Sequence, residues 1–283
     1  MVPVARDVRY ACLGLGSMVL TYLLFVTRGD EPVALRGAAA SAAPSDRTPR
    51  AVQQCMAATA DVNVTGTFYS QFGQDAYLAK NVFAASAAAA AAAAAGVYVE
   101  LGAYHPTRFS NTALFDKCFG WRGLCVDMNP FHKSLFEAQR TCEFVHTCVA
   151  HNRTHIDYYP TDNDLGDGKE GVSRVACEPF DRLLDRFKIA HIDFLSIDIE
   201  GGEMGALHTF PFDRVSVHAI LVETWHIGKT DVFDFLEDRG FVHVAELGPD
   251  DLFVAAGAKP WLPPQTAAWR TAIRGAHAEI RSV

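Results

Sequence analysis

Three carboxylates fall within the six-residue segment DIEGGE at positions 198–203. Like charges this close repel one another unless a cation, a proton or hydrogen-bond donors compensate them. The segment therefore predicts either a solvated loop or a functional site, and we favour the site. Asp198 and Glu200 fall on the same side of an extended segment, whereas Glu203 would begin a helix, where an acid is stabilising for structural reasons alone. The nearby motif ETWH adds Glu223 and His226, and this histidine suits a general base and a turn residue about equally well.

A glycine and two further acids stand at the ends of earlier apolar runs. The first run ends in Glu100-Leu101-Gly102, where glycine lets the backbone approach a ligand and the acid can contact a polar group. The second run ends in Asp127, the position that holds a ribose diol in doubly wound folds, although an acid shortly before Pro130 also suits an ordinary turn. This pattern favours a nucleotide-like cofactor.

Short apolar runs alternate with helical segments from residue 96 onward. We predict strands at 97–101, 123–127, 144–149, 193–199 and 219–223, and helices at 110–119, 131–140, 179–187 and 203–209. A helix at 231–239 then precedes two strands, 241–247 and 251–255, joined by a Gly-Pro-Asp turn typical of a hairpin. The alternation predicts an α/β fold, a parallel sheet with helices on both faces that ends in an antiparallel hairpin and binds its ligand at the carboxyl ends of the strands.

Composition limits the class of partner. The 283 residues include 33 acids and 25 bases, and the net charge of −8 gives no basic field for a polyphosphate backbone, so we expect no nucleic-acid binding. Charged residues make up 20% and apolar ones 49%, which predicts a folded domain and not a charged disordered chain. The seven cysteines include no CxxC pair, which excludes a zinc ribbon and a thioredoxin motif.

The N-terminal segment predicts a membrane anchor. Residues 10–27 carry no charge and are long enough to cross a thin bilayer as a helix. The flanking charges favour a cytosolic N-terminus and a lumenal domain, as in a single-pass type II signal anchor of the Golgi or ER, and a cleaved signal peptide is the alternative. The predicted organisation is a cytosolic tail at 1–9, the anchor at 10–27, a stem at 28–66, a folded domain at 67–258 with a poly-Ala insertion at 84–95 that extends a helix beginning near Tyr69, and a C-terminal tail at 259–283.

In an oxidising lumen some of the cysteines could pair. Cys118, Cys125, Cys142, Cys148 and Cys177 could form one or two bridges, with Cys142 and Cys148 as a local pair, and burial as small apolar residues is the alternative. Two glycosylation sequons, at Asn63 and Asn152, are compatible with a lumenal chain.

Four sequence blocks carry a family resemblance: YSQFGQD at 69–75, the segment 97–130, FLSIDIEGGEMGALHTFPF at 194–212 and LVETWH at 221–226. Through them the chain resembles the FkbM family of S-adenosylmethionine-dependent methyltransferases, of the methyltransferase 21 type. It is most similar to the eukaryotic, membrane-anchored branch that includes Star-like proteins. The resemblance covers roughly residues 68–256. It implies the Rossmann-like class I methyltransferase fold and O-methylation of a hydroxyl acceptor, such as a sugar or glycan.

The resemblance also implies which residues bind the cofactor. Glu100 and Gly102 would belong to the motif that binds the methionine part of S-adenosylmethionine, with Ser110 and Asn111 at the start of the next helix. Asp127 would hold the ribose hydroxyls.

Asp198, Glu200 and His226 are the predicted catalytic residues. The acceptor hydroxyl, on a glycan or another small molecule, would lie between them, and one of the three would accept its proton. In a variant of this mechanism a divalent cation is held by Asp198, Glu200 and Glu223. The second function that we consider is a non-catalytic, membrane-anchored Star-like protein that binds a partner or escorts cargo in the secretory pathway.

Overall fold

The structure is a computed structural model that describes residues 53–56, 68–83, 96–158 and 173–257. The predicted anchor at 10–27, most of the predicted stem, the poly-Ala insertion at 84–95 and the tail at 259–283 lie outside these residues. Among the helices that are described, none has both the length and the apolar character needed to span a bilayer.

A seven-stranded sheet forms the centre of the described part of the chain. The described strands belong to this sheet and to a smaller one. In chain order they are β1 Val97–Leu101, β2 Arg122–Asp127, β3 Glu143–His146, β4 Cys148–Val149, β5 His155–Tyr158, β6 Ser173–Glu178, β7 His191–Ile197, β8 Ser216–Glu223, β9 Phe241–Leu247 and β10 Asp250–Ala255. The large sheet has the order β3-β2-β1-β7-β8-β10-β9. Its first five strands are parallel, and β10 runs antiparallel to both β8 and β9. The predicted mixed α/β fold with a large, mostly parallel sheet is confirmed, and the predicted hairpin is present.

Helices cover both faces of this sheet. They are α1 Gln74–Asn81, the π-helical segment α2 Phe115–Phe119, α3 Lys133–Gln139, α4 Phe180–Phe187, α5 Glu203–Thr209 and α6 Lys229–Glu237. Alternate residues of each strand bury against opposite faces: Val99 and Leu101 belong to the cluster that packs α4, α5 and α6, whereas Tyr98 belongs to the cluster that packs α1, α2 and α3. Both faces of the sheet are therefore buried, as predicted.

The prediction of one strand at 144–149 is wrong, because the chain changes sheets at Thr147. Thr147 N donates to Asp127 O at 3.1 Å, and the Thr147 hydroxyl donates to Ala176 O at 3.0 Å. These bonds end β3 in the large sheet and lead β4 into a second, three-stranded sheet of order β4-β6-β5. This smaller sheet forms one wall of the cleft described below.

Three disulfides cross-link the described residues: Cys55–Cys118, Cys125–Cys142 and Cys148–Cys177. The predicted local pair of Cys142 and Cys148 is wrong. Cys142 instead bonds to Cys125 on β2, with a Cα separation of 5.9 Å, and Cys148 faces Cys177 as its partner in the β4–β6 ladder. The Cys148–Cys177 bridge therefore joins strand neighbours, and none of the three bridges joins the pair predicted from proximity in sequence.

Arg140 is a buried cation that joins several elements. Its Nε donates to Asp116 Oδ2 at 2.8 Å, and its Nη1 lies 3.8 Å from Glu100 Oε2. The other guanidinium N–H groups donate to Tyr98 Oη, Thr112 Oγ1, Ser110 Oγ and the Pro106 carbonyl. This network connects β1, the loop that follows it, α2 and the end of α3.

Replacing Arg140 should destabilise the fold strongly. Arg140→Met leaves Glu100 and Asp116 buried without their cation, and removal of one partner of a buried ion pair costs about 3–5 kcal/mol. Urea unfolding under oxidising conditions, followed by circular dichroism, measures the loss.

Lys133→Ala is the matched control. It breaks an ion pair with Glu137 whose two side chains are each 53% exposed, so the free energy of unfolding should change by at most about 0.5 kcal/mol. Equal stabilities for Arg140→Met and Lys133→Ala would contradict the role assigned to the network.

Candidate active site

A large cleft opens at the carboxyl ends of the parallel strands. It has a volume of about 1010 Å³, and Gly102, Asp127, Asp198 and Glu223 line it where β1, β2, β7 and β8 end. Ligands of open α/β sheets bind at this edge. The volume lies at the upper end of the range for small-molecule sites, so two ligands can lie side by side.

The end of β1 approaches the end of β7 so closely that only glycine fits between them. Gly102 has a φ of +80°, and a Cβ there would lie 1.7 Å from the backbone oxygen of Asp198. Backbone hydrogen bonds hold the contact, from Gly102 N to Val126 O at 2.9 Å and from Asp198 N to Leu101 O at 3.1 Å. This part of the cleft wall is bare backbone, which a ligand can approach closely.

The loop after β7 is folded by Glu203. Its Oε1 accepts the backbone N–H groups of Ile199 and Gly201, each at 3.0 Å. Glu200 has a φ of +56° and Gly201 a φ of +96°, so the chain turns tightly before α5 begins. The structural role predicted for Glu203 is confirmed, whereas Asp198 and Glu200 line the cleft.

The carboxyls at the ends of β7 and β8 have higher pKa values than ordinary surface acids. Burial, together with the charges of Glu200, Glu203 and Asp250, raises the pKa of Glu223 to about 8. Burial also raises the pKa of Asp198 well above its usual range, with the Glu223 charge as the next cause. Near pH 7 the neighbouring carboxyls Asp198 and Glu223 therefore retain a proton unless a ligand replaces it.

His226 lies against two of these acids. Its Nε2 is 3.4 Å from Glu200 Oε2 and 3.9 Å from Glu223 Oε1. The structure thus brings the three predicted catalytic residues, Asp198, Glu200 and His226, to one cleft. For the predicted metal variant it groups His226, and not Asp198, with Glu200 and Glu223, since the ligand atoms of these three all lie within 4.8 Å of one another.

Three exposed aromatic side chains line the cleft, and we call them the aromatic rim: Phe72, Phe109 and Trp225. Their exposed fractions are 52%, 45% and 75%. Phe72 is held in place because its N–H donates to Gln74 Oε1 at 2.8 Å and its ring packs on Gly248, where a Cβ would lie 2.7 Å from Phe72 Cγ. Large apolar rings that remain exposed beside a cleft indicate ligand contact.

The comparison with protein families agrees with this arrangement. The family model described as the methyltransferase FkbM domain matches residues 100–243, just over half of the chain. The chain belongs to the FkbM methyltransferase family. A search of curated proteins found no match. The family predicted from the sequence is confirmed, and it supports a methyltransferase activity in general terms. The Star-like, membrane-anchored branch stays a prediction.

In this FkbM domain Asp127 is placed to bind a ligand and is also fixed by the backbone. Its Oδ2 accepts the Tyr104 N–H and its Oδ1 accepts the Asn129 N–H, both at 2.7 Å. A carboxylate offers about four lone-pair sites, so two remain available toward the cleft. Burial raises the pKa of Asp127, while these two backbone donors lower it.

Glu100, Ser110 and Asn111 lie beneath the cleft and are not part of its lining. Glu100 Oε1 accepts the Asn111 N–H at 2.7 Å, and both of its carboxylate oxygens lie 3.0 Å from Ser110 Oγ. Ser110 Oγ also accepts the Ala113 N–H, and the helical segment begins later than the predicted residue 110. Cofactor contact by these three residues stays a prediction. In the structure of the FkbM domain they support the loop that follows β1.

Sequence reasoning missed the residues that hold the ETWH segment. Thr224 Oγ1 donates to Asp251 Oδ2 at 2.6 Å, and His243 Nε2 lies 2.7 Å from Asp251 Oδ1. Lys229 Nζ, 3.2 Å from Asp251 Oδ2, adds a cation. These contacts fix Thr224, the residue that precedes Trp225 and His226. The only signal in the sequence was the doubled acid at the start of β10.

The YSQFGQD block holds one member of the aromatic rim, Phe72, against the β9–β10 hairpin. Gln74 Nε2 donates to Asp250 Oδ2 at 2.6 Å, and Asp75 accepts N–H groups from Tyr69 and Ser70. Burial raises the pKa of Asp250 to about 6 even though the Gln74 hydrogen bond opposes the rise. The block therefore connects the start of α1 to the hairpin and places Phe72 beside the cleft.

Gly102→Ala should destabilise the FkbM domain by about 3 kcal/mol. The left-handed backbone costs about 1–2 kcal/mol for a residue with a Cβ, and the clash with the Asp198 carbonyl adds an overpacking term of about 1–3 kcal/mol. Denaturant unfolding measures the sum.

Gly240→Ala is a closely matched control, because Gly240 has a φ of +81° and a Cβ there would meet no atom within 4 Å. It should lose only the conformational part, about 1–2 kcal/mol. Equal losses for the two variants would show that the close approach of β1 and β7 is not a constraint.

Proposed function

We propose that the protein is an S-adenosylmethionine-dependent O-methyltransferase that acts on a hydroxyl group of a sugar or glycan. The observation that carries the proposal is one cleft that contains both Asp127, at the end of β2, and the group Asp198, Glu200 and His226 beyond β7 and β8. Asp127 suits a cofactor ribose, and the group beyond β7 and β8 suits a hydroxyl that must lose its proton.

The residues present fit the cofactor. The strand order resembles the Rossmann-like sheet of class I methyltransferases, with Gly102 and Asp127 after its first two strands. Gly102 offers bare backbone, and Asp127 has acceptor sites left for the ribose hydroxyls after it binds Tyr104 and Asn129. When bound, S-adenosylmethionine supplies an electrophilic methyl group on a sulfonium.

The chain then has two tasks, to orient the acceptor and to take its proton. One of Asp198, Glu200 and His226 accepts the hydroxyl proton as the acceptor oxygen bonds to the methyl carbon and the bond from that carbon to sulfur breaks. Orientation of the hydroxyl in line with that bond supplies much of the rate. The methylated hydroxyl and S-adenosylhomocysteine are the products.

The aromatic rim supports a sugar as the acceptor. A pyranose ring has an apolar C–H face and hydroxyls around its edge. Trp225 offers a flat exposed ring for such a face, and the adjacent His226 with Glu200 offers hydrogen-bond partners for the hydroxyls.

We further propose a lumenal location in the Golgi or ER, with the protein held in the membrane by the predicted type II anchor at residues 10–27. Disulfides persist in oxidising compartments, so the three in the described residues support this location. The sequon at Asn152, which is exposed, is compatible with it.

Asp127→Asn should weaken binding of S-adenosylmethionine and S-adenosylhomocysteine about tenfold or more. A hydrogen bond to a charged group contributes about 1.5–3 kcal/mol, and the amide loses the charge and half of the acceptor sites. Isothermal titration of the full-length protein in detergent micelles measures both dissociation constants.

The control for this titration is Asp157→Asn, a change of the same kind at an exposed ion pair with Arg174 on the small sheet. It should leave both constants unchanged. Failure of the folded wild-type protein to bind either compound would reject the enzyme and favour the non-catalytic, partner-binding function.

Trp225→Ala should raise the KM for a glycan acceptor about tenfold, because an aromatic contact of this kind contributes on the order of 1.4 kcal/mol. Transfer of radiolabelled methyl to a panel of glycans measures KM. Trp225→Phe, which keeps a ring, should recover most of the loss, and the affinity for S-adenosylhomocysteine should not change. Equal KM values for wild type and Trp225→Ala would remove the rim from the acceptor site.

A further inference from the structure

Two carboxylates and an imidazole converge at the mouth of the cleft. Glu200 stands on the turn after β7, Glu223 ends β8, and His226 follows three residues later. His226 Nε2 lies 3.4 Å from Glu200 Oε2 and 3.9 Å from Glu223 Oε1, and one ligand atom from each residue lies within 4.8 Å of the other two. Such a set of one nitrogen and two oxygens on three separate side chains can surround a small cation.

Glu223 is the member that points to a ligand. The residue is only 8% exposed and lines the cleft, and its Oε2 is buried with no hydrogen-bond partner among the described residues. A buried acceptor without a partner costs free energy, and a buried carboxylate costs more, unless a proton or a cation compensates it. Glu203 has a similar unpartnered oxygen, but it lies outside the cleft lining and folds its own loop through the other oxygen.

The spacing suits a divalent cation. A metal about 2.1 Å from each ligand atom places adjacent ligands about 3.0–3.4 Å apart and opposite ligands about 4.2 Å apart. The separation of 3.4 Å matches adjacent ligands, that of 3.9 Å lies between the adjacent and opposite spacings, and all three ligand atoms lie within 4.8 Å of one another. The separations need no large movement of the three side chains.

We propose that Glu200, Glu223 and His226 bind one divalent cation, of the class to which Mn²⁺ belongs. Carboxylates suit Mg²⁺ and Mn²⁺, whereas an imidazole ligand favours a transition metal, and Mn²⁺ meets both conditions. Binding itself does not depend on the proposed methyl transfer. The role of the cation does rest on that function: an open position on it would bind the acceptor hydroxyl oxygen and lower its pKa, and Asp198 would then be left to accept the proton.

Electron paramagnetic resonance of Mn²⁺ tests the site directly. The full-length protein in detergent, with neither cofactor nor acceptor added, is titrated with Mn²⁺, and the free ion is counted from its six-line signal. We expect one Mn²⁺ per chain. Glu223→Gln and His226→Ala should each weaken binding at least about tenfold. A ¹⁴N coupling in the pulsed spectrum of bound Mn²⁺ should be present in the wild type and absent in His226→Ala.

Two further variants keep the test decisive. Glu200→Gln changes an exposed side chain, so it should weaken Mn²⁺ binding without harm to the fold even if a change at buried Glu223 unfolds the protein. His191→Ala removes an exposed histidine that pairs with a single acid, Asp193, at 3.1 Å, and it should bind Mn²⁺ as the wild type does.

The outcomes separate this site from the proposed function. A wild-type protein that binds S-adenosylhomocysteine but no Mn²⁺ overturns the metal site and leaves the methyltransferase standing, with a proton as the group that compensates Glu223. A protein that binds Mn²⁺ through these three residues but neither cofactor compound supports the metal site and rejects the methyltransferase. Mn²⁺ affinity lowered equally by His191→Ala and His226→Ala overturns the assignment of ligands.

Discussion

The site depends most on the ion pairs and hydrogen bonds of the buried Arg140 guanidinium. It allows β1 to carry Glu100 in the interior of the fold, where an uncompensated carboxylate would be very costly. Glu100 in turn accepts hydrogen bonds from Ser110, Asn111 and Thr112, which fixes the end of the loop that starts at Gly102. One buried cation thus determines the shape of the cleft wall although no atom of it lines the cleft.

Sequence patterns predict the large sheet well where an apolar run lies between turn residues. The predicted bounds of β1 and β9 are those of the structure, and each strand has a glycine on both sides. The small sheet could not be predicted in this way. Its strands are short and mixed in polarity, and the chain enters it at Thr147 through hydrogen bonds to residues that are distant in sequence. The disulfides follow the same tertiary neighbours, so spacing alone paired the wrong cysteines.

In the candidate site, too, some residues could be predicted from the sequence and others could not. Acids that follow parallel strands must meet at one edge, and this rule alone brings Asp127, Asp198 and Glu223 together. Supporting residues follow no such rule. Apart from the doubled acid at the start of β10, nothing near Arg140 or Asp251 in the sequence marks either side chain as buried, because their partners come from other elements. Residues that line the cleft could therefore be predicted from the strand pattern, whereas residues that hold them in place required the structure.

The carboxylates of this fold fall into two groups. Three that are buried outside the cleft lining have compensating partners: Glu100 has Arg140, Asp251 has His243 and Lys229, and Asp250 has Gln74. At the ends of β7 and β8, by contrast, burial and neighbouring acidic charges raise the pKa of both Asp198 and Glu223, and a buried oxygen of Glu223 accepts no hydrogen bond from the described residues. Asp198 and Glu223 thus place uncompensated carboxyls at the edge of the sheet where ligands of open α/β folds bind, and a cation bound there would relieve the repulsion between these acids.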